Sequence, residues 1–352
     1  MAGKELPVVR TTPESADLQE ILAAMVDAGC ETASMEVSSH ALALNRVDAC
    51  EFEVGVFTNL SQDHLDFHLD MDDYYRAKER LFLPGSTGGL EAKAAVINVD
   101  DPSGQRLAEE AAGKLLTFGV EEEADLRGTL LEAGLKRSRL EVSYGGESWQ
   151  GTTALTGRFN LYNILGALGA CIMSGLDAAS SLDGILSHRG VPGRFQAVEE
   201  GQDFAVLVDY AHTPDSLRRV LQAAREITPG RVIAVFGCGG DRDRGKRPMM
   251  GKIAVEEADL VFVTSDNPRS EEPLAIIAEI EEGARTTGGA PYTVIADRRE
   301  AIASAVHEAG KGDAVVIAGK GHEKGQIFAD MVVPFDDVEE ARSALRKRME
   351  GR

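Results

Sequence analysis

From Phe204 onward the chain alternates short apolar runs with amphipathic stretches. The runs are Phe204 to Asp209, Arg231 to Phe236, Leu260 to Thr264, Tyr292 to Ile295 and Ala314 to Ile317. Each run is one strand long, and each interval is long enough for a crossover helix. Continuous apolar runs of this kind belong to strands covered on both faces, so the pattern predicts an open, mostly parallel sheet with helices on either side. Ligands of such sheets bind beyond the carboxyl ends of the strands. Four run-ends are polar: Asp209-Tyr210-Ala211-His212, Gly237-Cys238-Gly239-Gly240-Asp241-Arg242, Asp266-Asn267-Pro268-Arg269 and Gly319-Lys320-Gly321-His322-Glu323. They are expected to line one rim.

The third cluster offers the most chemistry. Asp266 supplies a carboxylate able to accept from an ammonium, and Asn267 supplies an amide that donates and accepts. The planar fork of Arg269 can hold a carboxylate through two parallel bonds. Pro268 stiffens the turn between them. The set suits a zwitterionic amino acid, while the same residues also read as a plain Asp-Asn-Pro turn closing a strand.

The 352 residues, 43% of them apolar, suffice for two domains with separate cores. The boundary is placed at Gly190-Val191-Pro192-Gly193, which gives domains over residues 1–193 and 194–352. In the first, Thr12-Pro13-Glu14 reads as a helix start, followed by an apolar stripe of Leu18, Ile21, Leu22, Met25 and Val26. Strands are expected to end near Val37 and to cover Glu53 to Thr58 and Lys93 to Asn98. A helix is expected over Asp72 to Leu83, β structure over Leu130 to Tyr144, and a buried helix over Asn163 to Ser174. A formal charge of −21 argues against a nucleic-acid surface and against attraction to an anionic membrane. Cys30, Cys50, Cys171 and Cys238 are scattered without a CxxC pair, as reduced packing thiols are. With no apolar signal core and no run of about eighteen apolar residues, a cytoplasmic monomer with no nucleic-acid partner and no membrane insertion is expected.

Two segments of the first half could hold a metal. Glu36, in Met35-Glu36-Val37-Ser38-Ser39-His40, is a hard oxygen donor suited to magnesium near phosphates. The stretch from Thr58 to His68 holds His64, His68, Asp63 and Asp66, which suit either magnesium beside a phosphate or a His-Asp hydrolase centre, but also an ordinary polar loop. Gly240 to Lys246 superficially matches a phosphate loop, yet Arg247 stands where Ser or Thr is needed. His322-Glu323 lacks the second histidine of a zinc-peptidase helix, and Gly237-Cys238-Gly239 lacks the third glycine of a dinucleotide fingerprint.

In order along the chain, TTPE at Thr11, MEVSSHAL at Met35, FTNLSQDHLDFH at Phe57, YYRAK at Tyr74, GRFNLYN at Gly157, VPGRFQ at Val191, VDYAHTPDSL at Val208, FGCGGDRDRGKRP at Phe236, DNPR at Asp266 and AGKGHE at Ala318 closely resemble the Mur ligases of peptidoglycan synthesis. The nearest type is MurE, which adds 2,6-diaminopimelate. The resemblance implies an α/β chain made of an incomplete central ATP-binding domain and a Rossmann-like C-terminal domain with a mostly parallel sheet. It implies ATP and Mg2+, with Glu36 and His64 as metal ligands and Lys78 carbamylated. Lys78 and His212 are taken as catalytic. Asn160, Asn163, Arg194 and Asp209 would serve the nucleotide. Thr11, Thr12, Ser38 and Arg46 would contact UDP-N-acetylmuramoyl-L-alanyl-D-glutamate. Arg242, Asp266, Asn267, Pro268, Arg269, Gly319 and Glu323 would form the pocket for meso-2,6-diaminopimelate. The resemblance also extends to folylpolyglutamate and cyanophycin-type amide ligases, and a non-catalytic amino-acid-binding remnant would share the Asp266 to Arg269 pocket. In the family a UDP-binding domain and a phosphate loop precede TTPE. Met1 to Arg10 contain neither, so this polypeptide alone is expected to turn over poorly.

Overall fold

The computed structural model of the 352-residue chain describes residues 10–61, 64, 65, 67–83, 92–111, 113–134 and 137–351. Residues 1–9, on which the reading of the N-terminus rests, lie outside them, as do Asp63 and Asp66 of the His-Asp segment. The chain divides into two compact units. One takes the chain as far as Thr129 with Glu141–Gln150 and Leu161–Ile185; the other takes Leu130–Leu140, Gly151–Asn160 and Leu186–Arg352.

The first half builds helices α1 (Ser15–Asp27), α2 (Ser39–Ala43), α3 (Met71–Glu79), α4 (Pro102–Glu110), α5 (Arg158–Met173) and α6 (Ala178–Leu186). Its strands are β1 (Val54–Phe57), β2 (Ala94–Asn98), β3 (Lys114–Gly119), β4 (Leu126–Ala133), β5 (Ser138–Tyr144) and β6 (Glu147–Thr153), joined in sequence order into one sheet. β1 to β4 run parallel, with Val54 opposite Ala94, Ala94 opposite Lys114 and Phe118 opposite Leu126. Leu18, Leu42, Tyr75 and Leu107 from the first four helices meet Phe57 and Ile97 in one core. Asp70 and Asp101 cap α3 and α4 by accepting from backbone N–H groups of the first turn, each cap contributing about 1 kcal/mol.

The strand expected to end near Val37 does not form. Residues 32–38 take no regular structure. Thr12 ties their backbone instead: its Oγ1 donates to Glu36 O at 2.9 Å and accepts from Ser38 N at 3.0 Å. Such local side-chain bonds give the backbone an alternative to a sheet ladder. The helix expected over Asp72 to Leu83 closes at Glu79, and α5 begins at Arg158, ahead of the expected Asn163.

The second half supplies β7 (Gln196–Ala197), β8 (Ala205–Asp209), β9 (Val232–Phe236), β10 (Leu260–Val263), β11 (Tyr292–Val294), β12 (Ala314–Ala318), β13 (Gly325–Ile327) and β14 (Val332–Pro334). Its helices are α7 (Pro214–Ile227), α8 (Lys246–Glu257), α9 (Pro273–Ala284), α10 (Arg298–Glu308) and α11 (Asp337–Glu350). The sheet order is β11-β10-β9-β12-β8-β7. Every neighbouring pair is parallel except β7 with β8. Side-chain alternation sends Ala234 and Phe236 of β9 toward Leu217, Met250 and Ile280 of α7 to α9, and Ile233 and Val235 toward Ile302 of α10 and Leu345 of α11. Asp209 pairs with Ala318, Ala318 with Phe236 and Phe236 with Val263, so the four polar strand ends finish level, on one rim.

Beneath that rim Arg298 and Asp337, which open α10 and α11, are both buried. Arg298 donates Nε to Oδ1 and Nη2 to Oδ2 at 2.8 and 2.7 Å, and Nη2 also reaches Ala318 O at 3.0 Å. The pair therefore pins both helices to the end of β12. Arg298→Met strands the Asp337 carboxylate and is expected to cost about 3–5 kcal/mol in denaturant unfolding, with much of the loss recovered in the Arg298→Met/Asp337→Leu double variant.

Arg247, equally buried, joins α8 to the loop before α9 and to α9 itself. Its Nη2 and Nη1 donate to Glu271 Oε1 and Oε2 at 2.7 and 2.9 Å, and Nη1 also donates to Glu279 at 2.9 Å. Bonds from Arg247 and from the Asp241 N–H hold the Glu271 carboxyl down at about 2, below its ordinary 4.5. A depressed folded-state value stabilises fully above the unfolded value and is lost as pH falls through the folded one. Glu271→Gln should lower stability by about 1–3 kcal/mol at neutral pH. Its deficit in denaturant midpoint should shrink as pH falls from about 5 toward 2.

Candidate functional site

In the second unit two loops clasp each other at the rim. Gly240 N donates to Asn267 O at 2.9 Å, Arg269 Nη1 donates to Gly240 O at 2.7 Å, and the Ser270 hydroxyl donates to Asp241 Oδ1 at 2.6 Å. Gly240 is required by this approach, since a Cβ there would lie 1.9 Å from Pro268 O. Arg269 stands in left-handed backbone at φ +52°, held by its N–H on Ile327 O at 3.0 Å. Its Nε and Nη2 make no hydrogen bond among the described residues. Arg242 is exposed beside it and makes no hydrogen bond or ion pair among them.

The amide and carboxylate of the Asp266-Asn267 pair are directed inward. Asn267 is 3% exposed: Oδ1 accepts from Lys320 Nζ at 2.9 Å and Ile327 N at 3.0 Å, and Nδ2 donates to Glu323 Oε2 at 2.8 Å. Asp266 is buried and accepts from Asn267 N at 2.7 Å. Gly319, at φ +122°, admits that carboxylate, because a Cβ would stand 2.5 Å from Asp266 Oδ2. Burial pushes the Asp266 carboxyl up against the opposing charges of Arg298 and Lys320. Burial also works to raise Glu323, but bonds from Lys320 and Asn267 and the charges of Lys320 and Arg269 outweigh it and leave Glu323 below the usual range. Pro268 is buried with the turn it stiffens. Of the sequence-predicted acceptor residues, Arg242, Arg269 and Glu323 are therefore the ones offering free polar groups. The first three residues of the Asp-Asn-Pro-Arg motif build the loop that presents the fourth.

A second corner forms at the end of β8. Asp209 accepts from Phe195 N at 2.7 Å and from Ala211 N at 2.8 Å, and burial pushes its carboxyl up despite these bonds and the charge of Arg194. Phe195, at φ +46°, turns the chain so that Arg194 lies over the Tyr210 ring, 5.0 Å from its centre. His212 and His322 flank the same ring at 4.7 and 5.4 Å. His212 Nδ1 meets Tyr210 O at 2.9 Å, so that nitrogen carries the proton. Lys246 donates to His212 O at 2.8 Å and Arg244 pairs with Glu279, so with Arg247 engaged as described, these cations brace loops rather than form a phosphate loop. Cys238 is buried against Met250 and its thiol is pushed up to about 12 by burial, which suits a packing residue; all four cysteines are free.

In the first unit Thr12, Ser38 and Arg46 come together, with Thr11 exposed next to them. Arg46 Nη1 reaches Thr12 O at 3.4 Å and its Nε lies 3.1 Å from Glu14 Oε2, while Ser38 caps α2. Glu36 is exposed. Four residues on, the His40 ring contacts His64 at 4.8 Å, and His64 and Lys78 both approach Tyr74, at 5.8 and 5.2 Å. No group of three or more His, Cys, Asp or Glu gathers as a metal cage among the described residues. The His-Asp reading finds a different partnership: His68 meets Ser39 Oγ through Nε2 at 2.9 Å and Asp73 through Nδ1 at 3.2 Å. Ser39 is 1% exposed and His68 is buried with it, so the hydroxyl lies out of reach of a hydrolytic substrate, while Asp73 closes the relay from the surface. Asn160 and Asn163 lie three residues apart on α5, Asn160 falling in the second unit and Asn163 in the first.

Sequence reasoning missed Lys320 as a buried hub and Arg298 beneath it. Neither follows a periodic pattern; the one signal was the glycine on each side of Lys320, which lets the backbone bury an ammonium.

Residues 2–171 match the Mur ligase middle domain and residues 193–321 the Mur ligase glutamate ligase domain. A UDP-N-acetylmuramoyl-L-alanyl-D-glutamate--2,6-diaminopimelate ligase of Gloeobacter violaceus is 49% identical over 350 residues, covering 98% of this chain and 70% of that protein. The like-named ligase of Caldanaerobacter subterraneus subsp. tengcongensis is 46% identical over 345 residues, with the same coverage of 98% and 70%. A solved structure of a ligase with that name superposes at TM-score 0.68 and 38% identity, over 96% of this chain and 69% of that one. The two domain matches and the similarity across nearly all of this chain agree: the chain belongs to the Mur ligase family.

Proposed function

We propose that this chain serves the ATP-dependent joining of meso-2,6-diaminopimelate to the D-glutamate of UDP-N-acetylmuramoyl-L-alanyl-D-glutamate in peptidoglycan synthesis. The observation that carries this reading is the unused half of Arg269 beside the unused oxygen of Glu323 on one rim. Arg269 spends Nη1 on Gly240, and among the described residues Glu323 accepts only at Oε2. A guanidinium fork and a carboxylate held together suit the distal carboxylate and ammonium of a diaminodicarboxylate. Lysine lacks that carboxylate and would leave the fork unpaired. Glutamate and arginine, acceptors of other amide ligases, do not present this pair at the far end of the molecule.

In the reaction the γ-carboxylate of D-glutamate accepts a phosphoryl group from ATP, and the resulting acyl phosphate is attacked by the acceptor amine. The amide forms, inorganic phosphate leaves and the amine loses its proton. Arg269, Arg242 and Glu323 orient the acceptor, so the attacking amine is delivered without loss of orientational freedom at the moment of reaction. Arg194, Asp209, Asn160 and Asn163 are the residues assigned to the nucleotide, and His212, beside Tyr210, is assigned to catalysis. Thr11, Thr12, Ser38 and Arg46 hold the UDP-muramoyl dipeptide. Magnesium uses few protein ligands and keeps several waters, so Glu36 and His64 would hold it together with water, and a carbamate on Lys78 would add a further oxygen donor. When bound, the ion offsets charge on phosphoryl oxygens. No helix among the described residues is long and apolar enough to cross a membrane.

Arg269→Lys should weaken meso-diaminopimelate binding by about 1–3 kcal/mol, because a point-charge ammonium cannot reproduce a two-bond fork. ATP binding should be unchanged. Calorimetry with each ligand separates the two, and equal acceptor affinity in both proteins would overturn the assignment.

Lys78 is half-buried and its Nζ lies 5.2 Å from the Tyr74 ring centre. Labelled bicarbonate should yield a carbamate carbonyl resonance that is lost in Lys78→Ala and on acidification. A wild-type chain without that resonance would leave Lys78 an ordinary cation.

A further inference from the structure

Lys320 is fully buried, which is costly for an ammonium unless it is paired and hydrogen-bonded. Its Nζ lies 2.9 Å from Asn267 Oδ1 and 2.8 Å from Glu323 Oε2. An ammonium has donors only, so both neighbours must turn oxygens toward it. Asn267 Oδ1 accepts from Ile327 N as well, at 3.0 Å. Two donors on one side leave the amide one orientation, and Nδ2 is then aimed at Glu323 Oε2, 2.8 Å away. Oε2 receives two bonds, and Oε1 receives none among the described residues, although the side chain is 32% exposed.

The geometry points to Lys320 as a specificity-determining positioning residue, which fixes the Glu323 carboxylate so that Oε1 faces the second ammonium of the acceptor. The inference rests on the reading that this rim binds diaminopimelate. Lys320 acts through Glu323 and Asn267 and does not touch the substrate. Without it, Asn267 loses the donor that sets its amide, and Glu323 loses its nearest cation and one of two bonds to Oε2. Arg269 remains as the other charge holding Glu323 below the usual carboxylate range. Discrimination between an acceptor with a distal ammonium and one without it should then fade, while recognition of the distal carboxylate by Arg269 persists.

The test is calorimetry on the 352-residue chain with UDP-muramoyl dipeptide and a non-hydrolysable ATP analogue present. The titrants are meso-2,6-diaminopimelate and 2-aminopimelate, which lacks the second ammonium. The wild-type chain should prefer the diamine, and Lys320→Met should erase about tenfold of that preference with little change for 2-aminopimelate. Lys320→Arg, which keeps the charge, should retain part of it. If Lys320→Met does not fold, as judged by circular dichroism, Lys320→Gln carries the same comparison. Equal weakening toward both ligands would make Lys320 merely structural and overturn the inference. So would a preserved preference in the Met variant, or a wild type that binds both ligands alike. A wild type that binds neither ligand would overturn the functional reading itself and the inference with it.

Discussion

Four charged side chains lie buried beneath the strand ends of the second sheet: Arg298, Lys320, Asp266 and Asp337. Removing them from water is tolerable only if every charge is opposed and hydrogen-bonded, and this requirement fixes the geometry of the rim. Arg298 engages Asp337 through both oxygens and Ala318 through its carbonyl, which ties β12 to two helices. Lys320, two residues past β12, engages Asn267 and Glu323. The same two cations oppose the upward push that burial exerts on Asp266. Because these interactions act in a region of low polarizability, each is stronger than it would be at the surface, and a missing partner would be correspondingly costly. Arg269 and Glu323, the groups proposed to face the acceptor, thus stand on a charge lattice that the protein's own residues supply.

The alternating sheet of the second half was legible in the sequence because its signals are local. Apolar runs such as Val232 to Phe236 have the length of a strand, and their polar ends mark the carboxyl edge whatever the tertiary arrangement. The parallel register then brings four separately legible loops to one level. The inward direction of Asp266 and Asn267 was not legible, because composition alone shows a polar motif as ligand-facing. Lys320 was hidden by the ordinary expectation that lysines are solvated, and Arg298 and Asp337 by their separation along the chain. The segment around Val37 was misread as a strand because its apolar residues have strand character, while Thr12, twenty-four residues from Glu36, claims its backbone.

The first unit shows the same division between groups that build and groups that remain available. His68 is consumed by Ser39 and Asp73, which link the start of α2 to the start of α3. That link draws together the elements carrying Ser38 and Lys78, and α2 and α3 are in direct contact. A histidine, a serine and an aspartate in relay geometry are here a brace, since a nucleophile at 1% exposure meets no substrate. The geometric template alone therefore does not identify chemistry; access decides between a brace and a catalyst.

Several positions of left-handed backbone fall at or beside the proposed site residues. Among the described residues, the non-glycine positions with positive φ are Asn45, His64, Phe195, Asp241 and Arg269. His64 and Arg269 are themselves site residues, Phe195 follows Arg194, and Asp241 precedes Arg242. Left-handed backbone at such residues costs of order 1–3 kcal/mol each and persists only where surrounding bonds over-determine it. Those bonds are present: Asp209 holds Phe195, Ser270 holds Asp241, and Ile327 holds Arg269. A relaxed backbone at Arg269 would redirect its side chain away from Gly240 and separate the fork from Glu323. The left-handed turn sets the Arg269 guanidinium and the Glu323 carboxylate on the same rim with Nε, Nη2 and Oε1 unbonded among the described residues, which is the arrangement that the proposed binding of a zwitterion requires.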